Sequence, residues 1–155
     1  MSDAPRKRPL RLTILLAAAL VGAQFVPVDR TNPPTDASLT LKAPAPVLAI
    51  LERACFNCHS QETVWPWYAY VAPMSWLAEH DVKEGREEMN LSEWGNWSED
   101  RRVYMASEIV EMTESEDMPP WFYKPFHADS KLSEDDLKTL KAWAQSLPGA
   151  KASSG

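Results

Sequence analysis

Apolar side chains recur at helical spacing in four stretches of this chain, and these stretches predict four helices. The first two predicted helices cover residues 47–55 and 75–88. The other two begin after Ser98 and Ser133, because serine favours the N-cap position, and Ser133 with Asp136 forms a capping-box pattern. No stretch shows the sustained alternation of apolar and polar residues that a half-buried strand requires. The pattern therefore predicts an all-α fold with a single helical domain.

A different pattern precedes these helices, since residues 12–28 carry no charge and follow several Lys and Arg residues. Such a segment is typical of a signal peptide or of a single hydrophobic membrane-spanning helix. The apolar run continues past the small residues 21–23, where cleavage would occur, so residues 1–30 are expected to be an uncleaved signal anchor, with a signal peptide as the alternative. The basic residues before it predict an inner-membrane protein whose domain faces the periplasm, or an exported one if the signal is cleaved.

The segments that flank the predicted domain have a different composition. Residues 31–46 are rich in proline and predict an extended spacer, so the domain is expected to cover residues 47–149. Residues 150–155 predict a disordered tail. The net charge is −6, and the part after Arg30 carries 11 basic and 20 acidic side chains. Because that acidity repels a phosphate backbone, no nucleic-acid binding is expected.

Both cysteines of the chain lie in one motif, Cys55-Phe56-Asn57-Cys58-His59. This C-x-x-C-H pattern is the covalent attachment motif of haem c. Cysteines three residues apart on a helical turn face the same side, where both sulfurs can form thioethers with the vinyl groups of one haem. The imidazole of His59 then supplies the proximal iron ligand. The motif therefore predicts one covalent haem c.

The same two cysteines leave three other interpretations open. They could form a structural disulfide, act as a thioredoxin-like redox pair, or belong to a zinc site. A thioredoxin-like pair is expected in a βαβ unit, which the helical pattern lacks. A zinc site is expected to bring a second pair of Cys or His ligands, whereas His80 and His127 stand singly. These differences favour haem.

The distal iron ligand must come from elsewhere in the chain. Met118 precedes two prolines, which cannot continue a helix and would hold its thioether in a rigid extended loop. A methionine ligand raises the reduction potential and fills the position that a substrate would otherwise use. Met118 is therefore the expected distal ligand, and the alternatives are Met74, His127 or an open site.

An aromatic run, Trp65-Pro66-Trp67-Tyr68, follows the motif. In a helical core these rings would serve as apolar packing. Beside a haem, indole N–H and phenol O–H groups can also reach propionate oxygens while the rings exclude water. Trp65, Trp67 and Tyr68 are therefore candidate residues of the haem environment, with simple packing as the alternative.

Several segments together resemble one known family. They lie at residues 30–34, 55–60, 63–68, 72–77, 81–86 and 90–94, at Met118-Pro119-Pro120 with Tyr123, and in the last helix as far as Trp143. The chain is similar, from Arg30 onward, to the haem-binding domain family of small membrane-anchored bacterial c-type cytochromes. This resemblance implies a periplasmic haem c domain with a helical fold similar to class I cytochrome c. It carries over Cys55, Cys58 and His59 as the haem-binding residues, with Met118 as the matching distal ligand.

These features support two classes of function. In the first, a six-coordinate haem iron carries electrons between redox proteins beside the membrane, and the protein is not an enzyme. In the second, the protein is a haem peroxidase or gas sensor with an open distal site, or a dithiol-disulfide oxidoreductase without haem. The first class is favoured because Met118 is available as a ligand and no distal constellation of His and Arg is evident.

Overall fold

The computed structural model describes residues 7–150, which are helices joined by turns and loops with no strand among them. Short 3₁₀ turns lie at Trp67–Tyr70, Leu91–Asn96 and Ala128–Ser130. The prediction of an all-α fold is confirmed for this part of the chain. The α-helices are α1 (Lys7–Ala23), α2 (Ala45–Ala54), α3 (Phe56–His59), α4 (Met74–Glu88), α5 (Glu99–Glu114) and α6 (Glu134–Ser146).

Serine side chains cap the first turns of α5 and α6. Ser98 Oγ accepts a hydrogen bond from the backbone N–H of Arg101 at 3.3 Å. Ser133 Oγ accepts from the N–H of Asp136 at 3.2 Å, and the Asp136 carboxylate accepts from the N–H of Ser133 at 2.7 Å. Each cap satisfies backbone donors that have no partner within the helix, a contribution of about 1 kcal/mol. Both predicted caps are confirmed.

The chain divides into two compact units. Among the described residues, the first takes 7–31 together with Trp65–Asp81, and the second takes Asn32–Val64 together with 82–150. The C-x-x-C-H motif therefore belongs to the second unit.

Within the first unit, the segment that follows α1 is bonded to the segment that precedes α4. Gln24 Oε1 accepts from the N–H of Ala72 at 2.9 Å, and Gln24 Nε2 donates to Ala72 O at 3.2 Å. The guanidinium of Arg30 donates to Ala69 O at 3.1 Å and lies 4.6 Å from the ring centre of Tyr70. Polar contacts with the backbone thus hold these two segments together.

The core of the second unit lies among α2, α5, α6 and the Leu91–Asn96 turn. At its centre the ring of Trp94 lies 5.9 Å from that of Trp143 and 5.2 Å from that of Trp97. Fully burying one such large apolar side chain stabilises the fold by about 1.5–3 kcal/mol. The core therefore fixes α2, which leads into the motif. Its buried members include Val47, Ile50, Leu51, Phe56, Leu91, Ala106, Ile109, Val110 and Leu140.

The segment predicted as a spacer packs on this core. Leu41 is 3% exposed and donates its N–H to Leu91 O at 2.9 Å, while Gly95 donates its N–H to Leu39 O. The second unit begins at Asn32, so it includes the residues that were predicted as a spacer. Proline makes the segment extended, but burial of a leucine favours contact with the core over free solvation.

The prediction of a membrane anchor over residues 12–28 is wrong. Helix α1 has 17 residues and ends at Ala23. Its length of about 25 Å is less than the hydrocarbon thickness of about 30 Å. No helix within residues 7–150 is long and apolar enough to cross a membrane. This finding overturns the predicted single-pass inner-membrane location.

Two other predictions fall at the ends of the chain. Residues 1–6 of the predicted signal segment and residues 151–155 of the predicted disordered tail lie outside the described residues.

Candidate functional site

The C-x-x-C-H motif forms one helical turn directly after α2. Cys55 is the C-cap residue of α2, and its carbonyl oxygen accepts the N–H of Cys58 at 3.1 Å and the N–H of His59 at 2.9 Å. Both cysteines are thiols, so the disulfide interpretation does not describe this structure. The turn therefore presents two sulfurs and one imidazole from five consecutive residues.

The imidazole of His59 is held through one of its two nitrogens. His59 Nδ1 lies 2.8 Å from Gly85 O and 3.1 Å from Met89 O. Because carbonyl oxygens only accept, Nδ1 carries the proton, and Nε2 has the lone pair that a metal ligand needs. Burial lowers the pKa of His59 and outweighs the opposing effects of the two carbonyls and Glu88. The ring is therefore neutral, which is the form that binds metals.

Gly85 brings α4 against the motif. A Cβ at this position would lie 2.7 Å from Cys58 O and 3.1 Å from Cys58 Cβ, so no larger residue fits without movement. This close approach puts the Gly85 carbonyl within bonding distance of His59. The sequence reasoning did not assign a role to Gly85. An isolated glycine within a helical pattern costs about 1 kcal/mol relative to alanine, and that cost was the signal that a packing reason exists.

Arg86, the next residue of α4, fixes the chain that leaves the motif. Its Nε donates to Ser60 O at 2.7 Å, and its Nη2 donates to Thr63 Oγ1 at 2.9 Å and to Asn32 Oδ1 at 2.7 Å. Ser60 is fully buried, and its Oγ donates to Phe56 O at 2.7 Å. The turn is therefore bonded to α4 on the side that follows His59.

Asn57, inside the motif, bonds to a distant loop of the same unit. Its Nδ2 donates to the hydroxyl oxygen of Tyr123 at 2.9 Å, and its Oδ1 accepts the N–H of Val64 at 3.0 Å. The ring of Tyr123 stacks on His127 with centroids 3.8 Å apart and planes 3° from parallel. The C-x-x-C-H pattern allows any residue at position 57, so the sequence alone does not indicate this contact.

The electrostatics of Cys55 disfavour dithiol chemistry. Burial raises the pKa of the Cys55 thiol to about 12, the charge of Cys58 adds to this effect, and Arg53 opposes it. Redox-active cysteines of the thioredoxin type need a lowered thiol pKa. Within residues 7–150, no three His, Cys, Asp or Glu side chains come together to hold a metal ion, as a zinc site would require. Neither the interpretation as a dithiol redox pair nor the interpretation as a zinc site is therefore supported.

All three candidate distal ligands lie within the described residues. Met118 lies in the loop after α5, is 39% exposed, and donates its N–H to Met112 O at 2.9 Å. His127 is occupied by its stack on Tyr123, and Met74 begins α4 as part of the first unit. The assignment of Met118 as distal ligand stays a prediction.

The aromatic candidates Trp65, Trp67 and Tyr68 belong to the first unit. Trp65 Nε1 is buried and has no hydrogen-bond partner among the described residues. Trp67 is 71% exposed, and its ring meets that of Tyr68 edge-on at 5.9 Å. Their role near a haem stays a prediction.

Comparison with known families places this site in context. Residues 18–146, which include the whole motif, match the haem-binding domain family. The chain belongs to the haem-binding domain family. This haem-binding domain is also 27% identical over 95 residues to the cytochrome c peroxidase of Escherichia coli (strain K12). That match covers 59% of this chain and 20% of the peroxidase, so the chain spans about a fifth of that protein.

No solved structure matches the haem-binding domain. Similarity to class I cytochrome c therefore stays a prediction. The chemistry of the donors nevertheless fits a haem, because two thiols and a neutral imidazole with its Nδ1 proton held by carbonyls share one turn.

Proposed function

We propose that this haem-binding domain is an electron-transfer protein of the cytochrome c type, with one haem joined to Cys55 and Cys58 and its iron held by His59 and Met118. The observation that carries the proposal is the hydrogen bond of His59 Nδ1 to Gly85 O at 2.8 Å, on the same turn as the two thiols. It supports an imidazole whose Nε2 is oriented and unprotonated for iron. A bound haem supplies a one-electron iron couple.

Each side chain has its own task in this proposal. Each cysteine would add its S–H group across one vinyl C=C bond of the haem, with the sulfur on one carbon and the hydrogen on the other, so no oxidant would be needed. The carbonyls of Gly85 and Met89 hold the imidazole proton of His59 and make its Nε2 more basic. The thioether of Met118 would hold the iron on its distal side, which would leave no position for a substrate. A protein so arranged carries electrons and does not act as an enzyme.

Covalent attachment is tested by haem staining of denaturing gels from cells that mature c-type cytochromes. The wild-type protein should stain at its own mass, and Cys55→Ser with Cys58→Ser together should abolish the stain at equal protein level. Each single substitution should leave one thioether and shift the pyridine haemochrome band. An unstained wild type, or a stained double variant, would contradict the proposal.

A haem peroxidase is the second candidate, favoured by the 27% identity to the cytochrome c peroxidase. The two functions differ in whether the distal position is closed. If Met118 closes it, the oxidised protein should absorb weakly at about 695 nm, and Met118→Ala should abolish that band and admit carbon monoxide to the reduced iron. Met74→Ala is the control and should change neither property. Rapid carbon monoxide binding and peroxide turnover that are equal in wild type and Met118→Ala would favour the peroxidase.

A further inference from the structure

The loop that carries Met118 is built from successive tight turns. Tyr123 donates its N–H to Pro120 O at 3.0 Å, and Phe126 donates its N–H to Tyr123 O at 3.1 Å. At the start of the loop, Met118 is tied by its own N–H to Met112 O at 2.9 Å. These backbone hydrogen bonds limit the freedom of the loop between Met118 and Tyr123, so fixing Tyr123 also restricts where Met118 can lie.

The restraint on Tyr123 comes from the motif itself. Asn57 Nδ2 donates to the Tyr123 hydroxyl at 2.9 Å, a contact between residues 66 positions apart. The side-chain amide of Asn57 is restrained because its Oδ1 accepts the N–H of Val64 at 3.0 Å. The backbone of Asn57 is held as well, since its carbonyl oxygen accepts from Thr63 Oγ1 at 2.8 Å. On its other side the Tyr123 ring lies parallel to His127. Tyr123 is therefore fixed both at its hydroxyl and at its ring face.

We propose that Tyr123 is a positioning residue. Through its contact with Asn57 it fixes the Met118 loop relative to the turn of His59, and so sets the fraction of molecules in which the Met118 thioether is bound to the iron. This inference rests on the function proposed above. The distal position is then in equilibrium between a closed state with Met118 bound and an open state. An external ligand binds only the open state, so its apparent affinity measures the open fraction.

The magnitude follows from the hydrogen bond between Asn57 Nδ2 and the Tyr123 hydroxyl. A net intramolecular hydrogen bond changes an equilibrium constant by about fivefold. Tyr123→Phe keeps the ring and its stack on His127 but removes the hydroxyl. We expect this variant to bind imidazole about fivefold more tightly in the oxidised state and to lose part of its absorption at about 695 nm.

A matched variant separates positioning from general damage. Tyr104→Phe removes a hydroxyl from an exposed tyrosine of α5 and should leave the imidazole affinity unchanged. Imidazole is the probe and is used at about pH 8, where most of it is neutral. Circular dichroism and haem staining check that each variant is folded and loaded.

The outcomes are distinct. A rise in imidazole affinity for Tyr123→Phe, with Tyr104→Phe near wild type, supports the inference. If wild type has the band at about 695 nm and Tyr123→Phe behaves as Tyr104→Phe does, the role of Tyr123 is overturned while Met118 ligation stands. If wild type lacks the band and binds carbon monoxide rapidly, Met118 ligation fails, and the role of Tyr123 fails with it.

Discussion

Replacing Gly85 by alanine tests the contact between α4 and the motif. The added Cβ would lie 2.7 Å from Cys58 O and 3.1 Å from Cys58 C, and both are backbone atoms that cannot rotate aside. Overpacking of this kind costs about 1–3 kcal/mol. Against it, alanine in place of glycine favours a helix by about 1 kcal/mol. Because the clash is with backbone, the cost should lie in the upper half of its range, and we expect a net loss of about 1–2 kcal/mol.

The assay is guanidinium unfolding of the purified holoprotein, followed by tryptophan fluorescence. Gly22→Ala is the control, because a Cβ at that helical position would meet nothing within 4 Å, and it should be neutral or slightly stabilising. The reduction potential should also shift in Gly85→Ala, since the carbonyl that accepts from His59 is displaced. A Gly85→Ala protein at least as stable as wild type, with an unchanged potential, would refute this reasoning.

Three further substitutions act on other contacts of the second unit. Arg86→Lys keeps the charge but loses the planar donor fork, so urea unfolding should show a loss of about 2 kcal/mol. Asp136→Asn should cost about 1 kcal/mol at neutral pH, because the carboxylate accepts from Ser133 and lies 2.6 Å from Arg53. Burial raises the pKa of Asp136, but these partners lower it overall. The stabilisation by Asp136 is therefore present above about pH 4 and is lost as the pH falls through the native pKa. Unfolding at several pH values should show that the stability difference between wild type and Asp136→Asn vanishes in acid. Glu116→Gly should stabilise by about 0.5–1 kcal/mol in thermal unfolding, because Glu116 has φ of 64°.

The features that sequence reasoning found are those whose partners lie a few residues apart. The capping box of Ser133 and Asp136 is an example, because donor and acceptor lie within one helical turn and both are identified by residue type. The acceptors of His59 are not of this kind. Gly85 and Met89 lie 26 and 30 residues away and contribute backbone carbonyls, which any residue could supply. No pattern of residue types marks them, so only the folded chain reveals them.

The wrong prediction of a membrane anchor has a physical cause. Composition reports how apolar a segment is, but it does not report where a helix ends or what a side chain contacts. Gln24 lies within residues 12–28, but in the structure it follows the end of α1 and bonds to Ala72 in the first unit. Leu41 lies in the segment that was predicted as a spacer, and it is buried. Tertiary contacts of single residues such as these cannot be predicted from the average hydrophobicity of a segment.

The turn that bears His59 depends on residues outside the motif. Helix α3 has four residues, and an isolated helix of that length is not stable in water. Its geometry must therefore come from its neighbours: Gly85 packs on Cys58, Arg86 bonds to Ser60, and Asn57 bonds to Tyr123. Substitutions in α4 should consequently change the iron environment as much as substitutions beside the cysteines do. The C-x-x-C-H motif supplies the donor atoms, and the second unit supplies their orientation.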